Sequence, residues 1–158
     1  MGLVVADLEP TVSRYSALWG GGPWRVYTYG PATVRELSYR GQPGEHSMRI
    51  AIGSHAPQIE LIQPLTGPIQ PLTGPSIFHE CLDQRGQGFH HLGVYVDCLD
   101  TAVNDMASAG YDVLQSGRGT GADGSGGYAY FSTEEDLSII LEAVVVPGRR
   151  REPEAVWD

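Results

Sequence analysis

The chain has 158 residues, among them 10 arginines, no lysine and 19 acidic residues, for a formal net charge of −9. That length suits one compact domain able to bury a real core, and that charge argues against nucleic acid or an anionic membrane surface as the main partner. Cys81 and Cys98 make no disulfide framework, and neither a signal peptide nor an apolar run of about 18 residues is present, so a soluble, reduced, cytoplasmic protein is expected.

Residues 2–6 are predicted as the first strand, after which Leu8, Val12, Tyr15 and Trp19 recur at helical spacing until Gly20-Gly21-Gly22-Pro23 stops the helix. Residues 24–29 and 33–39 are rich in aromatic and β-branched side chains, and Gly30-Pro31-Ala32 is expected to join them as a hairpin. Two more strands are predicted over 48–52 and 58–63, around a turn near Gly53-Ser54. The first module, 1–65, therefore reads β-α-β-β-β. Residues 62–68 and 69–75 are one Pro/Gly-rich heptad repeated identically. Two copies make no solenoid, and a duplication absorbed in a surface loop is expected, since added loop length costs little. The rest of the linker, 66–87, holds a predicted helix over 76–85 with Gly86 as its stop.

The second module, 88–147, repeats the plan: a strand over 90–97, a helix over 100–109, and strands at 113–115, 127–131 and 138–146. The Gly-rich stretch 117–127 lacks the lysine and the strand-loop-helix context of a phosphate loop and reads as a mobile connection. Residues 148–158, where three arginines precede Glu152, Glu154 and Asp158, read as a solvated tail.

The repetition extends to individual residues. Met1–Val12 lies over Leu92–Val103, with Gly2 on Gly93, Val5 on Val96, Leu8 on Leu99 and Val12 on Val103, so two similar units complete one core. Strand alternation in the second copy puts Leu92, Val94 and Val96 on a core face; His91, Gly93 and Tyr95 take the other, a cleft wall. His90 points away from His91. Glu60 and Glu142 are each a lone carboxylate in an otherwise apolar strand, and burying an unpaired carboxylate costs several kcal/mol. With His91 they offer an imidazole and two carboxylates, a set that suits one divalent ion such as Zn, Ni, Co, Mn or Fe.

The duplicated β-α-β-β-β plan and the segments 60–65, 88–97 and 139–142 resemble the vicinal oxygen chelate superfamily, above all methylmalonyl-CoA epimerase and glyoxalase I-like proteins. The resemblance implies an α+β fold of two tandem βαβββ modules whose mixed sheets curl into a cleft around one divalent metal ion, commonly in a homodimer. Its ligands would fall on Glu60, His91 and Glu142, with a fourth, usually His, at a place preceding Met1. An epimerase would also carry a base Glu on 48–52, where this chain has no carboxylate. The implied activity is that of a metal-dependent isomerase, epimerase or lyase on a small carbonyl or thioester substrate: a proton leaves the carbon next to a carbonyl, and the metal stabilises the enediolate or enolate. Glu142 or Glu60 would be the mobile base, and Tyr95, Arg49, Arg118 and Tyr130 are candidate substrate contacts. The alternatives are a metal-free small-molecule sequestering protein on the same fold and, third, a non-haem iron dioxygenase. Fold alone does not choose among them.

Overall fold

The computed structural model describes residues 1–65 and 74–158. The chain forms two compact units, one of 1–29, 46–90 and 152–158, the other of 30–45 and 91–151. Most of the duplicated heptad, and with it the expected surface loop, lies outside the described residues.

In the first unit β1 (Gly2–Val4) leads into α1 (Leu8–Trp19). The helix ends at Gly20, whose left-handed φ of 62° lets its N–H return to the Ser16 carbonyl. β2 (Trp24–Tyr29), β5 (Met48–Gly53) and β6 (Glu60–Pro64) pair antiparallel in that order, and β6 pairs in parallel with β1. Leu8 and Val12 of α1 are buried against Val26, Ala51 and Leu61, so alternation gives the sheet one α1 face and one opposite face. The helix α2 (Ile77–Arg85) packs on β6 and β1, its N-terminus capped by the Ser76 hydroxyl, which accepts from the His79 N–H.

The second unit repeats this arrangement. β7 (Gly88–Tyr95) enters it at His91 and pairs in parallel with β10 (Ile140–Val145); β10 pairs antiparallel with β9 (Gly126–Phe131), and β9 with β8 (Val113–Thr120). The helix α3 (Leu99–Ser108) covers one face, burying Leu99 among Ala129, Phe131 and Ala143. A short α4 (Glu134–Leu137) precedes β10. The register of the repeat is the same in both units: Gly2 opposes Glu60 as Gly93 opposes Glu142. The chain is thus an α+β protein built of mixed sheets with few helices.

Four local expectations change. The segment predicted as the second arm of a hairpin forms β3 (Arg35–Tyr39), which pairs with β8 of the second unit and with the two-residue β4 (Gln42–Pro43), and not with β2. A turn closed by the Thr33 and Val34 N–H groups on the Gly30 carbonyl redirects it. Residues expected in a solvated tail form β11 (Ala155–Trp157), paired antiparallel with β2. The Gly-rich stretch is mostly strand, because β8 runs on to Thr120 and pairs with β9. Leu92 and Val94 do share the α3 face of their sheet but are 43 % and 47 % exposed, since α3 sits over β9 and β10 rather than β7.

Candidate metal centre

Glu142 comes from the middle of β10, on the face opposite its buried neighbour Ala143. The start of that strand is pinned by Thr133, whose fully buried hydroxyl donates to the Ile139 carbonyl at 2.7 Å and accepts the Leu141 N–H at 2.9 Å. His91 stands on β7 against Ile140, two residues from the Gly93 that opposes Glu142. Strand pairing therefore brings together two side chains that are 51 positions apart in sequence, 142 less 91. The His91 Nε2 lies 3.2 Å from Glu142 Oε2, and the residues are 1 % and 7 % exposed.

Gly93 makes the approach feasible. A Cβ there would sit 3.1 Å from Glu142 Oε2, inside the space the carboxylate uses. Across the sheet Tyr130 opposes Glu142, and its ring meets the His91 ring edge-on at 5.0 Å between centroids. Tyr128 stands at 5.7 Å from Tyr130 in a similar edge contact, and the fully buried Gln115 opposes Tyr130 from β8. Gly117 is tighter still, because a Cβ there would lie 2.7 Å from both the Tyr128 hydroxyl and a Val34 methyl. The sequence reading named Tyr130 but missed Gln115, Tyr128 and Thr133. The available signal was alternation: in 126–131 the tyrosines occupy every second place.

The donor chemistry fits a divalent ion. Metal–nitrogen and metal–oxygen bonds of about 2.0–2.2 Å put neighbouring ligand atoms about 3.0–3.4 Å apart in octahedral or tetrahedral shells, and the observed pair is separated by 3.2 Å. Glu60 belongs to the first unit. It opens β6, half-buried, on the face opposite α1, with Gly2 on one side and Ile52 on the other.

The remaining nominated residues lie elsewhere. Arg118 opposes Gly127, where an added Cβ would touch Leu99 of α3; it is therefore on the α3 face, away from Glu142, and pairs with Asp100 and, at 3.8 Å, with Glu36. Arg49 alternates with Ile50 and shares the α1 face with Ala51, away from Glu60. Its guanidinium lies over the Trp157 ring, 5.0 Å from the centroid. Tyr95 shares the face of His91 but sits at the end of β7, largely exposed. His90 points to the other side and packs on Phe78.

These features define a class before any particular relative. Residues 1–131 match the model of the glyoxalase/bleomycin resistance protein/dioxygenase superfamily, and the chain belongs to that superfamily. Among solved structures it is similar to a variant of the Streptomyces coelicolor methylmalonyl-CoA epimerase in complex with 2-nitronate-propionyl-CoA, with 18 % identity over 93 % of this chain and 94 % of that one and a TM-score of 0.64. The Mycobacterium tuberculosis methylmalonyl-CoA epimerase is similar at 21 % identity over 92 % and 85 % of the two chains, with a TM-score of 0.62. A hypothetical protein from Bacillus halodurans follows at 16 % identity over 96 % and 94 %, with a TM-score of 0.60. At these identities the likeness shows the fold. No curated protein matches the chain. Among the described residues no helix is long and apolar enough to cross a membrane.

Proposed function

We propose that this protein is a metal-dependent isomerase, epimerase or lyase acting on a small carbonyl or thioester compound, with His91, Glu142 and Glu60 holding one divalent ion. The observation that carries the reading is the buried His91–Glu142 pair at ligand spacing, on a face that Gly93 keeps open. Glu60 completes the set on the strength of its register, since it stands to Gly2 as Glu142 stands to Gly93. An imidazole and two carboxylates, one donor atom from each, are a set that holds such ions.

When bound, the ion supplies positive charge to two neighbouring substrate oxygens and so acidifies the carbon beside the carbonyl. The rest falls to the chain. A carboxylate oxygen of Glu142, or of Glu60 once it is displaced by substrate, takes that proton and returns it. Tyr130 and Tyr128 close the wall beside His91 and keep water from it. Likeness to proteins named as methylmalonyl-CoA epimerases is the reason to place CoA thioesters among the substrates tested. A cytoplasmic location and a homodimer complete the reading; the first rests on composition and the second on the family resemblance, which sedimentation of the pure protein tests.

One observation favours a second reading. A separation of 3.2 Å is also that of a direct imidazole–carboxylate hydrogen bond, which satisfies both groups without an ion and suits a metal-free sequestering protein. Elemental analysis of untagged, chelator-free protein separates the two. About one equivalent of a transition metal, absent from His91→Ala, is the expected result, followed by solvent deuterium exchange into α-hydroxy ketones or CoA thioesters. No metal in either protein after reconstitution overturns the metal-dependent mechanism.

A further inference from the structure

The two units carry the same row of positions across their sheets, and the rows differ at one end. In the second unit, one line of strand pairing on the face opposite α3 runs Gly93, Glu142, Tyr130, Gln115. In the first unit the corresponding line, on the face opposite α1, runs Gly2, Glu60, Ile52, Arg25. Directly opposed residues share a face, so Arg25 lies on the Glu60 face, two strand spacings or about 10 Å from it along the sheet. Arg49 and Arg118 point to the other faces of their own sheets. Among the described residues, Arg25 is thus a cation that register aligns with a proposed metal ligand.

Its surroundings leave its charge available. Arg25 is exposed, and its hydrogen bond among the described residues runs from Nη1 to the Ser54 hydroxyl at 3.3 Å, while that hydroxyl donates to the Pro23 carbonyl at 2.7 Å. A serine hydroxyl orients the guanidinium without neutralising it. Between Arg25 and Glu60 stands Ile52, an apolar side chain.

We infer that Arg25 is a specificity-determining residue, and that the substrate is a carbonyl compound with a negatively charged group, separated from its two chelating oxygens by a short apolar spacer that lies over Ile52. The inference rests on the proposed metal-dependent reading and adds the substrate class to it. A guanidinium favours an anion by charge and by its forked donors.

The test uses hydroxamates, whose two neighbouring oxygens chelate a divalent ion. Glutaric acid monohydroxamate and pentanohydroxamate have the same chain length, and only the first ends in a carboxylate. Calorimetric titration of cobalt-loaded protein at low salt should show the acid binding about fivefold tighter than the neutral probe, the scale of one partly exposed ion pair. In Arg25→Gln the ratio should fall to about one, as it should for the wild type in high salt. Equal affinities in the wild type, or a ratio that survives in Arg25→Gln, would overturn the role of Arg25 while leaving the metal reading in place. Failure of both probes to bind would overturn the metal reading itself.

Discussion

At the scale of single residues, the centre is shaped as much by side chains that are missing as by those present. Gly93 and Gly117 stand where a methyl group has little or no room. For Gly117→Ala the new Cβ would meet Tyr128 and Val34 at 2.7 Å, so overpacking should cost on the order of 1–3 kcal/mol, read from the urea midpoint. Gly93→Ala differs in kind. Its Cβ would meet only the movable Glu142 carboxylate, at 3.1 Å, and a Val144 methyl at 3.8 Å. The expected outcome is a nearly unchanged urea midpoint with metal affinity down about tenfold or more, measured by competition with a chelator; equal affinity would detach Glu142 from the ion. Glu60 and Glu142 can be nominated from the sequence as lone carboxylates in apolar strands, and His91 from the strand face it shares with Gly93 and Tyr95. Arg25 was not, because a charged residue in an amphipathic strand reads as ordinary surface until register shows which carboxylate shares its face.

At the scale of elements, the strands that alternation and turn signals predicted are present, but 35–39 has a different partner from the one expected, and 155–157, read as solvated tail, is a strand. Nothing local in 35–39 says that it pairs with 115–118 rather than with the strand just before it. The charged approach to 155–157 likewise conceals an edge strand whose apolar members are Ala155, Val156 and Trp157. That strand is fastened at several points. The Glu154 carboxylate accepts from the Thr28 N–H at 2.9 Å and the Thr28 hydroxyl at 3.0 Å, and Trp157 packs on the α1-side core while lying under Arg49. Trp157→Ala should therefore lower stability by about 1–2 kcal/mol through lost apolar burial and the lost cation–π contact. Hydrogen exchange should show β2 amides opening more readily, whereas unchanged protection of β2 would mean that β11 is an ornament of the edge.

At the scale of the whole molecule, pH sets two effects against each other. The chain carries a net charge of −9 at neutral pH, so mild acid should relieve self-repulsion and, on that account alone, stabilise the fold. Opposed to this is His46, buried just before β5, where desolvation first and the nearby His79 second lower its pKa to about 4. His79 is itself lowered, chiefly by desolvation, with Asp83 pulling the other way. A histidine whose folded pKa is depressed binds its proton more readily in the unfolded chain, so its contribution is fully present above about pH 6.5 and is lost as pH falls toward 4. Over that window one such group removes on the order of 3 kcal/mol, at about 1.4 kcal/mol per pH unit. Repulsion among dispersed surface charges is screened over about 8 Å at physiological salt, whereas a buried imidazole is not, so the histidine should win. Urea unfolding at 0.15 M salt should then show stability rising with pH between 4.5 and 6.5, roughly one proton taken up on unfolding. In His46→Gln, which cannot titrate, the slope should shrink by about that one proton even though the variant starts less stable. An unchanged slope would place the acid sensitivity elsewhere.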